Sequence, residues 1–451
     1  MKSKVWKRAV FLLLLIGAGL LGKSTTAQES RPSSFSEPVP LPQNLSLAEA
    51  KRIAFQNNWD LLAAKSQVDL ATAQKIVSKE LPNPTFSYST QKINIDGRSP
   101  ATPAGNGFWE RDYDSFFAIN QLFEIAGKRS NRQKSAEAGF AGAQARLEDS
   151  RRILDAGITK AYVEAALADA KAGILLQSGR SLRKEADLAG IRFQAGDISQ
   201  ADKEQIEIAA ERFELDAKTA EANAKSLKTA LEVLLGVKQP RGRLHLSDSL
   251  EALAKNLPSL KEGLSGDERP DLLAAEANVK KAEADLNLQK ALRIPDPTFL
   301  VQYEHNPPDQ PNTLGVGVSF PLPLFSHNAG EIRSAWVARD QAQRDLEKTK
   351  AQIAADVHTA ELSYEEARRR AQQYRREVLP KSARILGAVT FAYEKGAVSY
   401  LDLLAAQRND NDVKIANSQA EADAVESYAN YKAALNLNES SESQPSTKDT
   451  R

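Results

Sequence analysis

From Ile353 onward the seam positions, apolar or small in all but Lys381, step by alternating fours and threes: Ile353, Val357, Ala360, Tyr364, Ala367, Ala371, Tyr374, Val378, Lys381, Ile385, Ala388, Ala392. A repeat of about 3.5 residues predicts a helix packed along its length against other helices. Residues 331–393 in one helix would reach roughly 95 Å. A tight turn, Gly396-Ala397-Val398-Ser399, and a returning helix follow. A second such element is predicted over residues 128–193, a stretch without proline and rich in Ala, Glu, Arg and Lys. It ends at Gly196-Asp197-Ile198-Ser199, and its returning helix runs to Leu235. Helices of this length suit a tube or a long coiled coil, not a compact core.

Residues 85–95, rich in Thr, Ser, Phe, Tyr and Ile, read as a strand, and three stretches that alternate with period two predict further strands over residues 113–123, 298–305 and 313–320. In the last, Leu314, Val316, Val318 and Phe320 share one face and Gly315, Gly317 and Ser319 the other. Likewise Phe299, Val301 and Tyr303 oppose Leu300, Gln302 and Glu304, and Ser115, Phe117 and Ile119 oppose Asp114, Phe116 and Ala118. Strands of this length cross a bilayer when tilted. A sheet in lipid must close, because open edges leave backbone groups unpaired. Four strands cannot close, so the membrane reading requires oligomerisation, with two copies giving eight strands and three giving twelve. A small soluble sheet packed on the helices is the alternative.

The blocks recur. PNPTF at 82–86 is echoed by PDPTF at 295–299, and DLLAA at 60–64 by DLLAA at 271–275. Ser199 and Asp202 follow Gly196 as Ser399 and Asp402 follow Gly396. The predicted organisation is therefore two tandem copies, 45–236 and 271–437, joined by a Pro- and Gly-containing connector, 237–270. In each copy a helix precedes a strand pair and a long helical hairpin. Ser46 with Glu49 predicts a capping box at the first helix. Residues 28–44 read as extended, and 438–451 as a disordered polar tail.

The N-terminus reads as a cleaved signal peptide, residues 1–27. Lys2, Lys4, Lys7 and Arg8 precede an apolar run over 9–21, and Thr25-Thr26-Ala27 is the cleavage site. Its removal takes away five positive charges, counting Lys23, and no acidic ones, turning the formal +1 into −4. No other run has spanning length, so the mature chain is expected to be exported without a transmembrane helix. The absence of cysteine excludes disulfides, a cysteine nucleophile, thiolate metal ligands and a lipidated cysteine. The near-neutral charge gives no general basic field for nucleic acid.

Candidate chemistry is sparse. His245, His305, His327 and His358 show no paired metal-ligand spacing, Met1 is the only methionine, and no nucleophile elbow or P-loop appears. The chain is therefore read as a non-enzyme with no cofactor and no metal site. The aromatic group Phe108, Trp109, Tyr113, Phe116 and Phe117 is read as a lipid–water marker, with a packed loop as the alternative.

GAVSYLDLLAAQR (396–408), with the signal peptide and the repeated strand-pair and hairpin, resembles the TolC family of outer-membrane efflux channels. FPLPLFSHNAGEIRSA (320–335) and NQLFEIAGKRSNR (120–132) resemble its heavy-metal, CzcC-like branch. The resemblance covers about residues 45–437. It implies a homotrimer with a 12-stranded barrel in outer-membrane lipid and a periplasmic tunnel of coiled helices. It further implies a periplasmic adaptor and an inner-membrane transporter of the RND type as partners, with a passive duct for heavy-metal cations as the function. The tip turns would dock the adaptor through Gly196, Asp197, Ser199, Gly396, Val398 and Ser399. Asp402 matches a position whose carboxylates ring the entrance of such channels, and Asp202 is its counterpart. Ala405 stands where a second acidic residue is expected, which weakens a double-carboxylate gate. Plain helix capping is the alternative role for both aspartates. Pro380, inside the second long helix, predicts a kink, or else a break into two helices. The competing functions are a duct for organic compounds or type I secretion, and a periplasmic coiled-coil scaffold without a barrel.

Overall fold

Long helices carry most of the chain. The computed structural model describes residues 42–93, 95, 113–260, 266–306 and 310–437. The signal peptide, most of the 28–44 segment, Phe108, Trp109 and the 438–451 tail lie outside the described residues.

After a two-residue strand β1 (Asn44–Leu45) come α1 (Leu47–Asn57) and α2 (Trp59–Lys79). The two helices meet at Asn58. Its backbone is extended (φ −62°, ψ 128°), its side chain accepts from the Leu61 N–H, and its amide donates to the Leu234 carbonyl at 3.0 Å. One residue thus ends α1, caps α2 and ties both to a distant helix. Ser46 accepts from the Glu49 N–H at 3.2 Å as expected, but the Glu49 carboxylate lies 3.6 Å from Arg52.

Strands β2 (Thr85–Gln91) and β3 (Asp114–Leu122) lead into α3 (Lys128–Gln194), a helix of 67 residues or about 100 Å. Helix α4 (Gln200–Leu234) returns along it. The connector forms β4 (His245–Leu246) and α5 (Leu250–Lys255). Then come α6 (Pro270–Leu292), β5 (Thr298–Asn306), β6 (Gln310–Ser319), α7 (Ala329–Gln373), α8 (Leu379–Glu394) and α9 (Tyr400–Leu435). Helix α9 packs on α3, α7 and α8. The seams are rich in alanine, such as Ala186, Ala189, Ala209 and Ala210 between α3 and α4, and Ala367, Ala371, Ala420 and Ala424 between α7 and α9. Alanine buries little area per residue, so helix length substitutes for core depth.

The connector is packed midway along this bundle. β1 and β4 pair in parallel. The buried Tyr162 hydroxyl donates to the Leu45 carbonyl at 2.8 Å and accepts from the Asp248 N–H at 3.1 Å. Leu250 inserts beside Val163, Ala166, Ala422 and Val425.

Pro380 neither breaks the second long helix nor acts alone. Tyr374–Val378 forms a single π-type turn in which the Leu379 N–H reaches back five residues to the Tyr374 carbonyl. Such a turn holds one extra residue, and helical backbone continues without a break into α8. The predicted seam is obeyed as far as Ala371, with Ile353, Ala360, Tyr364 and Ala367 buried. Beyond the turn it slips by one. Lys381, Ile385 and Ala388 are exposed, whereas Ser382 is buried and Leu386, Val389 and Tyr393 are half-buried. The Ser382 hydroxyl donates to the buried Asp410 carboxylate at 2.8 Å, which also pairs with Lys414 at 2.8 Å.

The other four strands form one antiparallel sheet in the order β2-β3-β5-β6. Its register aligns Phe86, Ile119, Val301 and Val316 in one row, and Tyr88, Phe117, Tyr303 and Leu314 in the next. The opposite face carries Thr85, Asn120, Leu300 and Gly317, then Ser87, Ala118, Gln302 and Gly315, then Ser89, Phe116, Glu304 and Thr313. The two central rows of one face are therefore wholly apolar or aromatic, flanked by Gln121 beside Phe299 and by the row Thr90, Ser115 and His305, and the other face is mostly polar or small. Most of the apolar rows is exposed, with Val316 at 81% and Leu314 at 72%, and Phe117 and Tyr303 are half-buried. β2 and β6 are the open edges.

Candidate functional site

The two turns that join the long helices have the same construction. At the first, Gly196 takes φ +82°, its N–H donates to the Phe193 carbonyl, and the Asp197 N–H donates to the Arg192 carbonyl at 2.9 Å. At the second, Gly396 takes φ +72°, its N–H donates to Tyr393, and the Ala397 N–H donates to Ala392 at 2.9 Å. This paired bonding satisfies the last helix carbonyls through a left-handed residue. A Cβ at either glycine would meet nothing within 4 Å, so the backbone conformation, not crowding, selects glycine.

Each returning helix opens with a complete capping box. Ser199 Oγ accepts from the Asp202 N–H at 3.1 Å, and Asp202 Oδ2 accepts from the Ser199 N–H at 3.3 Å and hydroxyl at 2.7 Å. In the second box the Asp402 N–H donates to Ser399 Oγ at 3.3 Å, and Asp402 Oδ2 accepts from the Ser399 N–H at 3.0 Å and hydroxyl at 2.7 Å. The Ser399 hydroxyl and then its N–H hold the Asp402 carboxyl below the usual carboxylate range. Asp202 and Asp402 are thus caps, and both stay exposed at the turn. Asp197 is also exposed, Val398 is half-buried, and Ala405 is exposed one turn beyond Asp402.

The turns lie side by side. Ile198 and Tyr400 pack on a cluster formed by Leu182, Ala186, Ile206, Phe213 and Leu404. A cavity of about 290 Å³ separates the tips, bordered by Glu185, Arg192, Asp202, Tyr393, Ser399 and Tyr400. Arg192 Nη1 donates to the Tyr393 hydroxyl at 3.3 Å, with its guanidinium 5.8 Å from the ring centre. Tyr393 meets Tyr400 edge to face at 6.2 Å. The Tyr400 hydroxyl is buried without a hydrogen-bond partner, and burial, then the charge of Glu185, pushes its ionisation up to about 12. Arg192, Tyr393 and Tyr400 were not among the residues singled out from the sequence. The aromatic residue next to Ser399 was the one visible signal for Tyr400.

Among the described residues no three His, Cys, Asp or Glu side chains are grouped to hold a metal ion. His245 lies in β4, His305 in β5, His327 before α7 and His358 on α7. Also among them, no helix is long and apolar enough to cross a membrane.

Sequence comparison agrees with this architecture. The profile of the outer membrane efflux protein family matches residues 52–237 and 264–437. The cobalt-zinc-cadmium resistance protein CzcC of Cupriavidus metallidurans is 25% identical over 406 residues, which cover 89% of this chain and 93% of CzcC. The nickel-cobalt-cadmium resistance protein NccC of Alcaligenes xylosoxydans is 26% identical over 354 residues, covering 76% and 72%. Among solved structures, CusC, described in terms of folding and transmembrane channel formation, superposes with a TM-score of 0.72 at 18% identity, covering 90% of this chain and 97% of its own. The profile match spans both long hairpins and both strand pairs, and the chain belongs to the outer membrane efflux protein family.

Proposed function

We propose that three copies of this chain form a passive exit duct for heavy-metal cations, with the sheet in the outer membrane and the helices in the periplasm. The observation that carries this reading is the sheet register. It gives one face on which Phe86, Ile119, Val301 and Val316 can meet lipid, and one on which Ser87, Gln302 and Gly315 can meet water. The open edges β2 and β6 leave backbone groups that lipid cannot satisfy. Three sheets joined edge to edge close a 12-stranded barrel, and closure brings six long helical hairpins into one coaxial tunnel.

In this reading the chain is two tandem copies of one unit, delivered by a cleaved signal peptide and, lacking cysteine, not anchored by a lipidated cysteine. The tip turns at Gly196 and Gly396 dock a periplasmic adaptor, which couples the duct to an inner-membrane transporter of the RND type. Asp402 and Asp202 border the entrance, and Ala405 leaves that ring with less charge than a second carboxylate would supply. The tip opens and closes. It binds no cofactor and catalyses no reaction. Selection among cations belongs to the inner-membrane partner; among the described residues no three His, Cys, Asp or Glu side chains are grouped to sort them. The metal cargo is inferred from CzcC and NccC. Family membership favours the duct over the barrel-less periplasmic scaffold.

A deletion strain tests the cargo. It should lose tolerance to cobalt, zinc or cadmium salts and keep tolerance to organic dyes, with tolerance restored by the intact chain. Sensitivity to dyes alone would favour the duct for organic compounds.

A further inference from the structure

We infer that residues 320–325 are a second membrane contact, a loop seated in the periplasmic leaflet of the outer membrane with phospholipid against it. This inference rests on the barrel reading above. The last paired residue of β6 is Ser319, opposite Thr298. The apolar alternation does not stop there. Leu314, Val316 and Val318 are followed at the same spacing by Phe320, Leu322 and Leu324, and Phe325 comes next. All four are exposed, and Phe325 is fully so at 101%. Phe123, which meets Phe299 edge to face at 5.3 Å, and Ile294 add exposed apolar surface beside them.

The backbone of this loop is suited to leaving water. Pro321 and Pro323 have no N–H, and the Leu324 N–H donates to the Leu322 carbonyl at 2.8 Å. Few donors are then left for lipid to strand, which is what limits irregular backbone near hydrocarbon.

The charges just below fit phosphate headgroups. At the junction of strands and helices, Lys128 and Arg132 are neutralised by Asp296 and Glu124. Arg129, Arg293 and Arg333 have no carboxylate partner among the described residues. Arg129 donates to the Lys79 carbonyl, and Arg333 lies 4.9 Å over the Trp336 ring. The Asn328 amide donates to the Gln289 carbonyl at 2.8 Å, which fixes the end of the loop beside the end of α6. An apolar loop above a basic collar with a tryptophan is the charge and polarity order of a membrane interface. A chain without cysteine has no acyl-thioether tether, and this loop supplies a non-covalent one.

The absence of cysteine also makes the test clean. Single Leu322→Cys, Phe325→Cys and Val316→Cys variants of the mature chain are labelled with bimane and placed in phospholipid vesicles brominated either near the headgroup or deep in the acyl chain. The Val316 probe should lose fluorescence to deep bromines, and the probes at 322 and 325 to shallow ones. Quenching at 316 with none at 322 or 325 overturns the anchor and leaves the barrel standing, the loop being covered by a neighbouring copy. No quenching at any position overturns the barrel and the anchor together.

Discussion

Arg192, at the end of α3, donates to the hydroxyl of Tyr393, at the end of α8, across 3.3 Å. The bond joins the two long hairpins at their tips, where Ile198, Tyr400 and Leu404 add apolar packing. A partly exposed hydrogen bond of this kind contributes about 1 kcal/mol. Arg192→Ala should therefore raise the population of separated tips about five-fold, read as an increase in the open fraction of single channels. Tyr393→Phe should reproduce it, because the cation over the ring remains and only the hydroxyl is lost. An unchanged open fraction in both would remove this contact from the account.

The capping boxes carry a separate expectation. Ser399→Ala should destabilise the start of α9 by about 1 kcal/mol, seen as faster amide exchange over residues 399–404. Asp402 adds a pH dependence. Its carboxyl is held low, so the charged form stabilises the folded tip at and above the ordinary carboxylate value near 4, and this is lost as pH falls through the lowered value. Exchange at the tip, corrected for its intrinsic rate, should be flat from pH 8 to 5 and accelerate only in stronger acid. Asp402→Asn should show no such acid limb.

The one-residue slip past Val378 predicts an unusual deletion phenotype. The π-type turn inserts a residue, so removing exposed Arg376 leaves the residues on both sides in their seam. What it restores is a regular turn, in which the Pro380 ring meets the carbonyl one turn back at a cost of about 3 kcal/mol. Deletion of Arg376 alone should destabilise residues 371–386 by that order in amide exchange. The same deletion with Pro380→Ala should be close to wild type. If the double variant is no better than the single one, proline is not what the turn accommodates.

These elements divide by how local their cause is. The two tip turns were legible because glycine at positive φ and Ser-x-x-Asp caps are chemistry within six residues. The strand faces were legible because period two is strict, and the register kept the Leu314, Val316 and Val318 face intact. The seam failed at Lys381, and a lysine on an apolar seam was the visible warning, but its cause is a change of hydrogen-bond partner that no spacing encodes. Arg192 and Tyr393 were not legible at all. Each is an ordinary residue until two helix ends, far apart in the chain, come side by side.

At mid-length, Tyr364 is fully buried, donates to the Pro258 carbonyl and stacks on Tyr431 at 5.7 Å. Tyr364→Phe leaves that carbonyl unpaired and should cost about 1–3 kcal/mol in thermal unfolding. Burial pushes the Tyr364 phenol up to about 12. A raised value means the stabilisation is complete below the free tyrosine value near 10 and is lost as pH climbs from there through about 12. The phenylalanine variant should lose less stability over that alkaline window than wild type.

The central claim is that this chain makes a conducting trimer, and single-channel recording tests it most directly. Signal-processed protein purified in detergent, with its mass measured alongside, is added to a planar bilayer. The account predicts a particle of three copies and stable conductance steps. A monomer that stays soluble without detergent and never conducts would contradict it.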